Sequence, residues 1–133
     1  MFLVQPSTEI MNRNFKVLSQ DMLVSAAINE IDPGTTKVLV SDGQRLSGFI
    51  RFGTIRYRME KVATQRLGDL ASSDFIIASE RSNLNDVITR MSRRGRSYAI
   101  VVRGTRGVPR PDDVLGIIDR EEIAQAVIKN HYA

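Results

Sequence analysis

The chain repeats itself. Glu9-Ile10-Met11-Asn12-Arg13-Asn14-Phe15-Lys16-Val17 aligns without gaps on Asp69-Leu70-Ala71-Ser72-Ser73-Asp74-Phe75-Ile76-Ile77, a shift of 60 positions, and the register carries on through Val24/Leu84, Ala27/Val87, Ile28/Ile88 and Ile31/Met91. Beyond that point the second copy is longer. Val38-Leu39-Val40-Ser41 answers Ile100-Val101-Val102-Arg103, and Leu46-Ser47-Gly48-Phe49-Ile50 answers Leu115-Gly116-Ile117-Ile118, with Gly48 on Gly116. Two copies of a unit of about 60 residues therefore make up the chain, divided at 1–61 and 62–133. A unit of that size cannot bury its own apolar face, so each copy must be covered by something else.

Each copy reads as strand, helix, strand, strand, helix. In the first, Phe15–Leu18 is a short strand and Ser19 can cap a helix over Met22–Ile31, whose apolar face is Leu23, Ala27, Ile28 and Ile31. Asp32-Pro33-Gly34 ends that helix, since proline cannot continue it. Lys37–Val40 and Leu46–Ile50 are strands joined across Asp42-Gly43, and a helix over Phe52–Lys61 closes the copy. The second copy gives strand Phe75–Ala78, cap Ser82, helix Leu84–Ser92, stop Gly95, strands Tyr98–Arg103 and Val114–Ile118, and helix Arg120–Lys129. Its hairpin loop, Gly104 to Asp113, is expanded and is expected to be mobile. The class is α/β (α+β), with pseudo-twofold symmetry and a cleft between matching edges of the copies.

Composition narrows the function. Cysteine is absent, which removes disulfides, thiolate metal sites and a Cys nucleophile together, and the one histidine, His131, stands near the end. No metal site and no enzyme are expected. The opening Met1-Phe2-Leu3-Val4 is cut off at Gln5-Pro6 and lacks a basic leader, and no apolar run reaches the ~20 residues of a membrane span, so a cytoplasmic location is expected. The net charge of +4 rests on Arg90, Arg93, Arg94, Arg96, Arg103, Arg106 and Arg110. They could meet phosphates of a nucleic acid, but without interleaved aromatics a solvated face beside the buried run Ala99-Ile100-Val101-Val102 is the plainer account.

From about Ser7 to Val127 the repeat resembles the cystathionine-β-synthase (CBS) domain pair, or Bateman module. The residues that carry the resemblance are the openings Glu9-Ile10-Met11 and Asp69-Leu70-Ala71, the Val/Ile strands, and Gly48-Phe49-Ile50 and Gly116-Ile117-Ile118, each followed by a helix. The resemblance implies a non-enzymatic regulatory module that binds an adenosine-containing ligand (AMP, ADP, ATP or S-adenosylmethionine), pairs into a disc-shaped homodimer and shifts the conformation of an attached partner. The leader Met1–Pro6 also looks like the segment joining the membrane part of bacterial ClC-type chloride channels and transporters to their cytosolic CBS pair, although an ordinary extended arm explains it equally.

Nucleotide-binding members of that family share a Gly-h-h-Thr/Ser-x-x-Asp signature, with h apolar, whose hydroxyl meets phosphate and whose Asp receives the ribose. Here Arg51 replaces the hydroxyl and Thr54 the carboxylate in the first copy, while Asp119 and Glu122 take those places in the second. Arg51 can grip a phosphate, Thr54 would hold a ribose weakly, and Asp119 would repel a phosphate; a neutral or cationic adenosyl compound then suits the second copy better than ATP. Asp119-x-x-Glu122 also has the form of a capping box, which needs no ligand. Tyr98, Phe15 and Phe75 can stack on an adenine or belong to the core, and Lys37 can reach a phosphate or be simply an exposed lysine at the start of a strand. Substitutions at Arg51, Thr54 and Asp119 make a purely structural interaction module the competing reading, with nucleic-acid binding ranked last.

Overall fold

The computed structural model describes residues 4–104 and 107–132, and side chains up to residue 129. Residues 1–3, most of the leader, lie outside the described residues, as do Thr105 and Arg106 of the expanded loop and the side chain of His131. In chain order the elements are α1 (Ser7–Ile10), β1 (Phe15–Ser19), α2 (Val24–Ala27), β2 (Lys37–Ser41), β3 (Leu46–Arg51), α3 (Phe52–Arg56), α4 (Met59–Val62), α5 (Leu67–Leu70), β4 (Phe75–Ser79), α6 (Leu84–Arg94), β5 (Tyr98–Val102), β6 (Val114–Ile118) and α7 (Arg120–Tyr132). The strands form two three-stranded sheets, β1-β2-β3 and β4-β5-β6. In each, the first pair is parallel, as the intervening helix permits, and the second is an antiparallel hairpin.

The chain divides into two compact units, residues 14–73 and residues 1–13 with 74–133. This differs from a division at 61/62 over two segments. The arm before β1 belongs with the second sheet, where Asn12 and Ile117 exchange backbone hydrogen bonds of 2.8 and 2.9 Å, and residues 62–73 belong with the first, where Phe49 and Ser72 do the same at 3.0 and 2.8 Å. The repeat is thus kept in the ladders as well as in the sequence.

Ladder register corrects one alignment. Phe15 faces Lys37 and Phe75 faces Tyr98, so β2 and β5 are related by 61 positions and Val38-Leu39-Val40-Ser41 answers Ala99-Ile100-Val101-Val102. A one-residue slip reverses which side chains face the core, so the difference matters. Each hairpin carries a bulge at the same place, between Val40 and Ser41 and between Val101 and Val102.

In the 14–73 unit, Val38, Val40 and Ile50 pack with Val24, Ala27, Phe52, Ile55 and Val62, while Leu39 and its neighbour Phe49 point to the opposite face and are equally buried. In the other unit Ala99, Val101 and Ile118 pack with Val87 and Met91, and Ile100 and Ile117 are buried on the opposite face. Both faces of both sheets are therefore covered. That is why β2 and β5 read as unbroken apolar runs.

The helices depart from expectation where local competition wins. The span Met22–Ile31 shortens to α2 and one 3-10 turn over Ile28–Glu30, because Val24 and Ser25 donate to Gln65 O and Ala63 O. Leu23 is its exposed N-cap residue and Val24 takes the buried place; Ser19 Oγ accepts from Asp21 N in a turn instead of capping a helix. The helix expected over Phe52–Lys61 breaks into α3 and α4 at Tyr57-Arg58. There Tyr57 N and Arg58 N turn back to Thr54 O and Ile55 O in tighter three-residue bonds, after a helix that Gly53 and Thr54 support weakly, whereas Glu121 to Ala126 keep α7 continuous. Asn83, not Ser82, caps α6: its Oδ1 accepts from Asp86 N at 2.9 Å and Asp86 Oδ2 accepts from Asn83 N at 3.1 Å. Gly95 ends α6 at φ +60°, as expected. Among the described residues no helix is long and apolar enough to cross a membrane.

Candidate functional site

Each sheet finishes, at the end where its middle strand begins and its last strand stops, in three residues that the duplication makes equivalent. In the 14–73 unit Lys37 lies directly opposite Arg51, and Thr54 follows in α3. In the other unit Ala99 lies opposite Ile118, which puts Asp119 at the level of Tyr98, one step past the last ladder pair; Glu122 follows in α7. The six sequence candidates are thus brought together as two trios, each within its own unit.

The two trios differ in charge and in what occupies them. Lys37 is 7% exposed, not the exposed lysine expected at a strand start, because β2 is the buried middle strand of its sheet, whereas Arg51 and Thr54 are exposed. Two cations thus stand opposite one another on neighbouring strands, an arrangement that a bound anion would favour. In the second trio the capping box is formed. Asp119 Oδ1 accepts from Glu121 N at 2.8 Å and from Glu122 N at 3.4 Å, and Glu122 Oε2 accepts from Asp119 N at 3.0 Å. Tyr98 is 8% exposed and part of the core.

Glu122 is itself buried, and burial pushes its carboxyl above the usual range; the hydrogen bond to the Asp119 side chain acts in the same direction, with backbone N–H groups partly opposing. A raised carboxyl holds its proton in the folded state after the unfolded chain has released it. Stability from this group is therefore full below its ordinary pKa of 4.5 and declines as pH rises through the raised value. Denaturant unfolding across a pH series from about 4.5 to neutrality should show this decline, at most about 1.4 kcal/mol per pH unit, and Glu122→Gln should flatten it.

The arginine stretch does not make one patch. Arg90, Arg93, Arg94 and Arg96 gather at the end of α6, where they complement the helix dipole, while Arg103 and Arg110 lie past the far end of β5. Five strand residues, about 16 Å, separate the two groups. Arg106 lies outside the described residues. Among those residues no group of three or more His, Asp or Glu comes together as a metal site requires.

No sequence signal marks a further feature, a groove between α1 and α7 lined by Gln5, Glu9, Ile10, Glu122, Gln125, Ala126 and Lys129. Only the path of the arm creates it. Gln5 O accepts from Leu84 N where α6 starts, and Asn12 pairs with Ile117 just before α7 leaves, so arm and helix run side by side in opposite directions.

Residues 67–129 match the family model described as CBS domain. Among solved structures, the chain is similar to a hemolysin-like protein containing a CBS domain from Oenococcus oeni PSU, at 14% identity and a TM-score of 0.72, covering 94% of this chain and 91% of that one. It is also similar to the CBS domain of the bacterial CNNM/CorC family Mg2+ transporter in complex with ATP, at 16% identity and a TM-score of 0.65, covering 93% and 87%. A third is protein MJ1004 from Methanocaldococcus jannaschii, at 16% identity and a TM-score of 0.65; 94% of this chain is covered, and it spans 60% of that protein's length. These likenesses are of fold. No curated protein matches the chain significantly.

Proposed function

We propose that this chain is a non-catalytic regulatory module, a pair of CBS motifs that senses a phosphate-bearing adenosine ligand and couples it to a membrane transport partner. The observation that carries this reading is the cross-strand pair Lys37–Arg51, at the place where the family signature puts its phosphate contact. The ATP bound to a CBS domain of similar fold supports the ligand class, and that domain's Mg2+ transporter supports the partner class. A ClC-type chloride transporter, suggested by the leader, is a narrower form of the same proposal. Homodimeric assembly at the cytosolic face of a membrane completes it. A positive pair of this kind favours AMP, ADP or ATP over S-adenosylmethionine, and the Asp119–Glu122 trio contributes a helix cap instead of a phosphate contact.

Calorimetric titration with the four ligands is the test. Phosphate-bearing ligands should bind, and Arg51→Ala should weaken them by about tenfold to a hundredfold, the worth of a charge-assisted hydrogen bond. Silence with all four would favour the second reading, a structural interaction module; the mutually satisfied Asp119 and Glu122 are the observation on its side.

A further inference from the structure

The arginines at the end of α6 are a strongly charged feature that the nucleotide reading does not use. Arg90, Arg93, Arg94 and Arg96 stand close together with no Asp or Glu between them; Arg93, Arg94 and Arg96 are exposed and Arg90 is half-buried. Arg90 lies three and four residues from Arg93 and Arg94, so these three side chains share one face of the helix, about 5–6 Å apart at their Cβ atoms. Among the described residues none of the four side chains makes an ion pair or a hydrogen bond. The acids nearest them in the fold are engaged elsewhere. Asp86, one turn before Arg90, accepts from Asn83 N at 3.1 Å, Asp74 accepts from Ser97 N at 3.0 Å, and Asp119 Oδ1 accepts from Glu121 N at 2.8 Å.

The fold does not require this charge. One cation complements a helix dipole, whereas like charges at this spacing destabilise a helix. The first copy builds the same unit with Glu30, Pro33 and Gly34 in the places of Arg90, Arg93 and Arg94, and both copies bury the residue after the first of these, Ile31 and Met91. The corner is also held in place. Gly95 turns the chain at φ +60°, Arg96 N donates to Met91 O at 2.9 Å, and Ser97 N is tied to Asp74.

The layout selects the polyanion. Tyr98, the nearest aromatic in sequence, is 8% exposed and part of the core, so no ring is offered for bases to stack on. The cluster is compact, about 6 Å of helix rise from Arg90 to Arg94, and Arg103 and Arg110, which would extend it into a stripe along a nucleic-acid backbone, stand about 16 Å away past the other end of β5. We infer that this corner docks on an anionic lipid surface, its four guanidinium groups meeting lipid phosphates. The inference rests on the proposed function only for the nearness of a membrane, and it needs no nucleotide.

The test sediments the full chain with vesicles of equal parts phosphatidylglycerol and phosphatidylcholine, or of phosphatidylcholine alone. Each arginine near an anionic surface strengthens binding by about fivefold, so half of the chain should be bound at about 1 mM anionic-vesicle lipid at low salt and none at that concentration of neutral vesicles. Salt at about 0.5 M, where screening acts within about 4 Å, should release it. Arg93→Gln with Arg94→Gln, at exposed positions where glutamine keeps the helix, should weaken binding by about thirtyfold. Arg103→Gln with Arg110→Gln removes the same charge from the other end of the sheet and should change binding by less than about twofold. Equal losses from the two double variants would reduce the effect to net charge and overturn the inference. Equal binding to both kinds of vesicle, no binding to the anionic ones, or tighter binding to duplex DNA or single-stranded RNA at the same phosphate concentration would overturn it too. Calorimetry of the Arg93→Gln, Arg94→Gln variant with AMP, ADP and ATP should match the parent chain, so the nucleotide reading stands or falls on a separate measurement.

Discussion

Replacing Gly48 with alanine is expected to destabilise the protein by about 3 kcal/mol, at the top of the range for overpacking a filled site. A Cβ on Gly48 would run into the Cβ of Ala71 and come within 3.4 Å of Ser72 O. Neither neighbour can retreat, because the paired hydrogen bonds of Phe49 and Ser72 hold that segment against β3. Gly116 occupies the equivalent place, but a Cβ there would meet Met11 at Cγ, 2.5 Å, and Sδ, 2.6 Å. Cγ and Sδ of methionine can swing aside, though its Cβ stays 2.9 Å away, so Gly116→Ala should cost about 2 kcal/mol, less than Gly48→Ala. Urea unfolding of the two variants separates them; equal losses would refute the argument from neighbour rigidity.

Phe52→Ala should cost about 3–5 kcal/mol, with Phe52→Leu below about 1.5. Phe52 is fully buried at the junction of β3 and α3, where it packs with Val38, Ile50 and Ile55 and donates its N–H to Thr36 O at 2.6 Å. Its ring also lies under the Arg56 guanidinium, 5.4 Å from the centroid. Arg56 Nε is buried without a hydrogen-bond partner among the described residues, while its Nη2 donates to Asp32 O at 3.4 Å, so removing the ring takes away one of the guanidinium's few compensating contacts. Thermal unfolding should register the alanine variant as a fall on the order of 10 °C.

Strands were legible because they are buried on both faces and bounded by turn residues. Val114–Ile118 has the expected limits, and four of the other five strands, Phe15–Ser19, Lys37–Ser41, Leu46–Arg51 and Phe75–Ser79, run one residue longer than expected. Four-residue helices such as Ser7–Ile10 and Leu67–Leu70 carry too little periodicity to be read, since one turn sets no repeating pattern. The capping box of Asp119 and Glu122 was visible in the sequence because all its partners lie within four residues. The opposition of Lys37 to Arg51 was not. It depends on a ladder register that the bulge at Val40/Ser41 shifts, and no spacing in the sequence records a bulge.

The exchange of arms also orders events during synthesis. Residues 14–73 are one continuous stretch, so that unit has every contact of its own once Ser73 has emerged. The other unit is split between the two ends of the chain. Met11 must wait for Gly116 and Asn12 for Ile117, which leaves Ile10 and Met11 uncovered while more than a hundred residues are added. The slow, exposed interval of folding therefore belongs to the arm before β1, made ahead of both sheets and the last to find its place.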